Sequence, residues 1–75
     1  MYIRVKAFPN SPRETVETVS EHVYRIFVRE NAERNMANTR IKIILGNLYQ
    51  VEPKSIRQIS GHQMQNKMFE LRQTE

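Results

Sequence analysis

The hydrophobic residues of this chain repeat with a period of two near its start and with a helical period in its middle. Along YIRVKAF (2–8) every second residue is aliphatic. This alternation predicts a strand with one buried face. Ile3, Val5 and Ala7 are predicted to be buried, and Tyr2, Arg4, Lys6 and Phe8 are predicted to face the other way.

A second strand is predicted along HVYRIFVRE (22–30), which is rich in β-branched and aromatic residues. Tyr24, Ile26 and Val28 form its more apolar side. We expect this strand to pair antiparallel with the first through a long connection. The intervening RETVETVSE (13–21) is compatible with a short extension or a loop.

The period then changes to that of an amphipathic helix. Asn31 or Asn35 is the candidate cap at its start, and Pro53 lies just beyond its end. Gly46 is expected on the water-facing side. The predicted buried stripe consists of Ala37, Ile41, Ile44, Leu45 and Leu48.

Two further strands are predicted at SIRQIS (55–60) and KMFELR (67–72), with Phe69 and Leu71 pointing inward. Residues 73–75 are expected to fray. The predicted order is β-β-α-β-β, a two-layer α+β fold in which one main helix covers a four-stranded sheet. We expect residues 1–75 to form one domain.

Composition limits the functions open to such a chain. It has 75 residues, no cysteine, two histidines and a net charge of +4. A domain of this size has little room for a deep pocket, which argues against an enzyme. We expect no metal site, cofactor, signal peptide or membrane span, and a cytoplasmic location.

Three motifs together resemble the YggU-like family, whose function is unknown. They are VKAFPNS (5–11), Ala37-Asn38, and Ser60-Gly61 followed by Lys67. The resemblance covers nearly the whole chain and implies the β-β-α-β-β fold. It implies no activity.

The chain also departs from that family's pattern. The family usually has a proline pair and a glycine before the Ala-Asn pair, with a lysine just ahead of the alanine. Here Asn31, Ala32, Asn35 and Met36 take those places. We expect Asn35 to keep the turn through a positive φ, Met36 to weaken a family anion site, and a C-terminal extension to be absent or truncated.

One candidate site lies at an edge of the predicted sheet. If the third strand runs parallel to the second, its end meets the start of the helix, where free N–H groups attract anions. The candidate anion-binding residues there are Asn38, Ser60, Gly61 and Lys67. In a structural alternative, Asn38 fixes a loop, Gly61 supplies a positive φ, and the Lys67 amine reaches water.

The other candidate site is the sheet face that the helix leaves uncovered. Its predicted binding residues are Arg4, Lys6, Arg25, Phe27 and Arg29, with Arg72 nearby and Glu70 as the only acid. Cations bind phosphates and aromatic rings stack on bases, so the favoured ligand is nucleic acid, most of all RNA. A solvated charged face and a surface for a protein partner or a second copy are the alternatives.

Sequence signals for catalysis are weak. No acid is placed to orient His62 beside Ser60, and no glycine followed by Lys-Ser or Lys-Thr forms a phosphate loop. We expect a binding module without catalytic residues.

Overall fold

A computed structural model of the protein describes residues 1–72, and it has a five-stranded mixed sheet with one main helix. The α+β class is therefore confirmed, with one strand more than predicted. The prediction about residues 73–75 lies outside the described range. The strands are β1 (Tyr2–Phe8), β2 (Thr15–Ser20), β3 (Val23–Phe27), β4 (Ile56–Ser60) and β5 (Asn66–Leu71), and the helix is α1 (Met36–Tyr49).

The alternation along the first two predicted strands is confirmed. Ile3, Val5 and Ala7 are buried, and so are Tyr24, Ile26 and Val28, although β3 itself ends at Phe27. The aliphatic positions of β1 thus form the centre of the core, because β1 is the middle strand in the order β2-β3-β1-β5-β4.

The predicted antiparallel pairing of the first two strands is wrong. β1 and β3 run parallel, and β3 forms its antiparallel hairpin with β2 instead. The ambiguous stretch 13–21 supplies that extra strand. β2 lies at the sheet's edge with nearly all its residues exposed, so it needs no buried face and shows little hydrophobic alternation.

The connection from β3 through α1 leads the chain across the sheet to β4, which forms the other edge. β5 runs antiparallel to β1, and β4 runs antiparallel to β5. β4 is therefore parallel to β3, as expected. This topology brings the end of β4 to the same end of the sheet as the start of α1.

Helix α1 packs on the sheet through Ala37, Ile41, Ile44 and Leu45, all buried as predicted. Two predictions about its faces are wrong. Leu48 is 47% exposed, and the last turn contacts the core through Tyr49 instead. Gly46 is buried rather than water-facing, since a Cβ there would lie 2.9 Å from the Val51 carbonyl oxygen.

The start of α1 is preceded by a 3₁₀ turn at Glu33–Asn35. Asn35 has a φ of 62°, so the expected left-handed turn is present, but its side chain does not cap the helix. Asn31 instead accepts the Glu33 N–H at its side-chain oxygen, 2.9 Å away. A second 3₁₀ turn, Pro53–Ser55, follows the helix at the predicted stop.

Candidate nucleic-acid interface

The face of the sheet opposite α1 carries a mixture of basic and aromatic side chains, and we call it the open face. Strand register fixes its members, because directly paired residues point to the same side. Lys6 pairs with Arg25 and Phe8 with Phe27 across β1 and β3. Arg4 pairs with Met68 across β1 and β5. Arg4 and Arg25 therefore share one side of the sheet.

The central strand presents four of these side chains in one row, Tyr2, Arg4, Lys6 and Phe8. The first three are exposed, Tyr2 at 59%, and Phe8 is half-buried. Within residues 1–72, neither Arg4 nor Lys6 forms an ion pair. The Lys6 ammonium lies 5.8 Å from the centre of the Phe8 ring. The middle of the open face therefore has two cations with no acidic partner among the described residues.

The flanks of the open face are more nearly neutral. Arg25 lies 3.1 Å from Glu17 on β2, and Arg57 lies 3.6 Å from Glu70. The prediction that Glu70 is the only acid of this face is therefore wrong. Glu17 belongs to β2, which was not predicted as a strand, and its pairing with Arg25 places it on the open face. Exposed pairs of this kind are weak, about 0–1 kcal/mol each, so an anionic ligand can compete for both arginines.

Phe27, predicted as a stacking platform, already stacks on Phe8. The two rings are 4.4 Å apart and inclined by 11°. A shallow depression of about 640 Å³ lies beside them and includes Pro12 and Arg13. Only the ring faces turned away from each other are left for a ligand.

Arg29 lies beyond the strand that was predicted to carry it. β3 ends at Phe27, Val28 is fully buried, and Arg29 falls in the bend that follows. It lies near the Glu14 carboxylate, which forms a 2.6 Å ion pair with Arg40. The Arg40 hydrogen bond lowers the pKa of Glu14 and outweighs the opposing effect of burial.

The residues predicted at the sheet's edge come together, with one exception. Asn38, which is 3% exposed, donates from Nδ2 to the His62 carbonyl at 2.9 Å and to the Asn35 side-chain oxygen. Lys67 lies in the same cluster. Ser60 points elsewhere, since it pairs with Met68 and lines a depression with Arg4. We call Asn38, Gly61 and Lys67 the edge cluster.

The lysine of the edge cluster is turned inward. Its ammonium donates to the carbonyls of Gly61 and Met64, at 3.0 and 2.7 Å, and the side chain is 9% exposed. Burial lowers its pKa. The expectation that its amine reaches water is wrong, because the β4–β5 loop carbonyls surround it. Lys67 therefore holds this loop closed.

Gly61 is required by both conformation and space. Its φ is 78°, and a Cβ there would lie 2.1 Å from the Asn66 carbonyl oxygen. Next to the cluster is a cleft of about 200 Å³, lined mainly by small and apolar groups, which is below the range of drug-sized ligand pockets. The side-chain amide oxygen of Asn38, Oδ1, is buried without a hydrogen-bond partner among the described residues. An unsatisfied acceptor and an occupied ammonium make this a poor anion site.

Sequence reasoning placed Tyr2 on the open face correctly but missed Arg57, which pairs with Glu70 there. Arg57 could have been found from the alternation of SIRQIS, where it lies between two buried residues, Ile56 and Gln58. A polar cluster at the far end of α1 was also missed. The Tyr49 hydroxyl lies 2.8 Å from that of Tyr24 and 3.0 Å from His22 Nδ1. It joins the β2–β3 hairpin to the helix.

No protein-family model and no curated protein matches this chain. The YggU-like resemblance therefore stays a prediction. Across the residues that the structure describes, no group of three potential metal ligands occurs. No helix in that range is long and apolar enough to cross a membrane.

Proposed function

We propose that this protein is a small binding module for nucleic acid, most favourably single-stranded RNA, which lies along β1 on the open face. The observation that carries the proposal is the row of Tyr2, Arg4, Lys6 and Phe8 on the central strand. It combines two cations lacking an acidic partner in residues 1–72 with rings on both sides of them.

The spacing of this row suits a repeating polyanion. Alternate residues of a strand repeat every 6.6–6.8 Å or so, since each residue rises about 3.3–3.4 Å. Arg4 and Lys6 are one such repeat apart, so each can contact a different phosphate of an extended strand. Each contact releases counterions, which makes the affinity depend on salt.

The aromatic groups at the ends of the row supply contacts that do not depend on charge. Tyr2 is exposed, and the outer face of the Phe8–Phe27 stack borders the depression described above. Base–aromatic stacking contributes about 1–3 kcal/mol per base and tolerates any sequence. We therefore expect little sequence preference.

A competing proposal is that the open face binds a protein partner or a second copy of this chain. A symmetric dimer through the row on β1 would bury Arg4 and Lys6, while the acids of the open face, Glu17 and Glu70, already pair with Arg25 and Arg57. Buried charges without partners cost several kcal/mol each. The charges on the row therefore favour an anionic ligand over self-association.

Two further proposals accompany this one. Membership of the YggU-like family is supported by the meeting of its second and third motifs, where Asn38 bonds His62 and Lys67 bonds Gly61. We also propose a cytoplasmic, non-enzymatic role. The absence of cysteine from the sequence supports the location, and the binding roles proposed for Arg4 and Lys6 require no catalysis.

Fluorescence anisotropy with labelled single-stranded RNA at several salt concentrations tests the function. Arg4→Gln/Lys6→Gln should weaken binding and reduce the slope of log affinity against log salt by about 1.4, or 0.7 per lost phosphate contact. The control Arg34→Gln/Arg40→Gln removes two charges from the helix layer and should leave the slope nearly unchanged. Binding that is absent at low salt, or indifferent to salt, would refute the proposal.

Light scattering over a concentration series separates the competing proposal. The nucleic-acid proposal predicts a monomer at every concentration. A dimer that the Arg4→Gln/Lys6→Gln change strengthens would instead favour self-association through the open face.

A further inference from the structure

A second basic surface lies between α1 and the edge strand β4, away from the row on β1. It is a concavity of about 430 Å³, and we call it the basic groove. Ile43 and Ile56 contribute its apolar part. Its four cations come from separate elements and are Lys42, Lys54, Arg57 and Arg72.

The basic groove has an excess of positive charge, although Arg57 also pairs with Glu70 at 3.6 Å. No acidic side chain is among its lining residues. Lys54 pairs with Glu52 at 3.1 Å, but both side chains are at least 70% exposed, so solvent screens the pair. Lys42 forms no ion pair within residues 1–72. Four cations around one concavity favour an extended anion over a single phosphate.

The basic groove is continuous with the open face through Arg57. Across the sheet, Tyr2 pairs with Glu70, and Glu70 pairs with Arg57. Strands lie about 4.7–4.9 Å apart, so Tyr2 and Arg57 are separated by only about 10 Å across the open face. Arg57 also lines the groove on the other side of the β4 edge.

We propose that the basic groove binds the phosphates of the same nucleic-acid strand after it leaves the open face and turns over the edge of β4. This inference rests on the proposed function and adds a second contact surface for the same strand. The path must cross about 10 Å of the open face from β1 to Arg57 and then turn over the β4 edge to the other side of the sheet. Duplex DNA has a persistence length of about 50 nm and resists such a bend, whereas a single strand follows it. The ligand is therefore single-stranded and long enough to reach both surfaces.

Two lengths of single-stranded RNA test this path. A strand of about four nucleotides, the shortest site size known for comparable single-strand binding domains, fills the open face alone. One of about twelve nucleotides reaches the groove as well. Lys42→Gln/Lys54→Gln should reduce the slope of log affinity against log salt for the longer strand by about 1.4. The affinity gained on each tenfold dilution of salt would then be about 25-fold smaller than for the unaltered protein. The same change should leave the affinity for the short strand unaltered.

The controls separate this inference from the proposed function. Arg4→Gln/Lys6→Gln should lower the affinity for both RNA strands, and Arg34→Gln/Arg40→Gln should lower the affinity for neither. If only Arg4→Gln/Lys6→Gln has an effect, the path through the groove is refuted and the open-face proposal stands. If the unaltered protein binds neither strand, both are refuted. A duplex of the longer sequence that binds as tightly as the single strand would also refute the path.

Discussion

The two lysines nearest the candidate sites, Lys6 and Lys67, show how differently one residue type can be used within a small chain. Lys6 is exposed on β1, beside the Phe8 ring. Lys67 is buried on β5, and two loop carbonyls accept its hydrogen bonds. The first can exchange water for a ligand at little cost, whereas the second already has its ligands in its own backbone. A cationic residue near a glycine loop is thus evidence of a binding site only when its donors are unoccupied.

The edge cluster and the open face should therefore respond in opposite ways to substitution. Changes in the edge cluster should cost stability and leave RNA affinity intact. Changes on the open face should do the reverse.

The largest expected effect on stability is that of Gly61→Ala. The new methyl group would overlap the Asn66 carbonyl, and the left-handed backbone adds strain. We expect a loss of about 3 kcal/mol in urea denaturation. The control is Gly46→Ala, which has a milder contact with the Val51 carbonyl and gains about 1 kcal/mol of helix propensity. Equal losses in the two variants would contradict our account of Gly61.

The lysines themselves provide the next comparison. Lys67→Met leaves two loop carbonyls without their charged donor and should cost about 2 kcal/mol. Lys6→Met alters only the surface and should change stability by less than about 0.5 kcal/mol. RNA affinity should fall for Lys6→Met alone. A loss of affinity confined to Lys67→Met would move the binding site to the edge cluster.

Stability should also depend on pH through Lys67. Burial lowers its pKa in the folded protein below the ordinary 10.5, so the folded state binds fewer protons than the unfolded state between those two values. Stability from this residue therefore rises with pH across that window. We expect the stability of the unaltered protein relative to Lys67→Met to increase as pH rises towards 10.5 in urea denaturation. A difference that stays flat or decreases would show that the amine is not desolvated.

Tyr49 should act in the opposite direction at higher pH. Burial, and then the hydrogen bond with Tyr24, raise its pKa in the folded state above the ordinary 10.0. Its contribution is therefore present below pH 10 and is lost as pH rises further. Comparison with Tyr49→Phe isolates this contribution from that of Lys67. The phenylalanine variant should lose less stability above pH 10 than the unaltered protein does.

The smallest expected effect concerns the flank of the open face. Glu17→Gln removes the partner of Arg25 and should alter stability by less than about 0.5 kcal/mol. The released arginine should gain a phosphate contact. On each tenfold dilution of salt, the affinity of the variant for RNA should then rise by up to about fivefold more than that of the unaltered protein. A weaker affinity would contradict this expectation and mean that Arg25 binds RNA only while Glu17 holds it in place.

Most of the core could be predicted from the sequence because a buried face produces a periodic pattern of hydrophobic residues. The alternation in β1 placed Arg4 and Lys6 opposite Ile3 and Val5, and that arrangement is observed. β2 shows no such periodicity, since an edge strand with two exposed faces has no constraint on its hydrophobic pattern. Because β2 was not predicted, β1 and β3 were joined as an antiparallel hairpin, whereas they pair in parallel.

The candidate sites were predictable only in part. Parallel β3 and β4 brought Asn38, Gly61 and Lys67 together as expected, because topology alone decides which element ends meet. Whether the Lys67 amine faces water or the loop depends on the carbonyl positions of Gly61 and Met64. The basic groove depends on four residues from separate elements, and no local pattern connects them.

The most direct test of the central claim is a titration of the ¹⁵N-labelled protein with single-stranded RNA, followed by amide chemical shifts. Our account predicts that the largest changes fall on β1 and on its open-face partners in β3 and β5. Changes concentrated instead at residues 31–38 and 61–67, with β1 unaffected, would contradict it and place the ligand at the edge cluster.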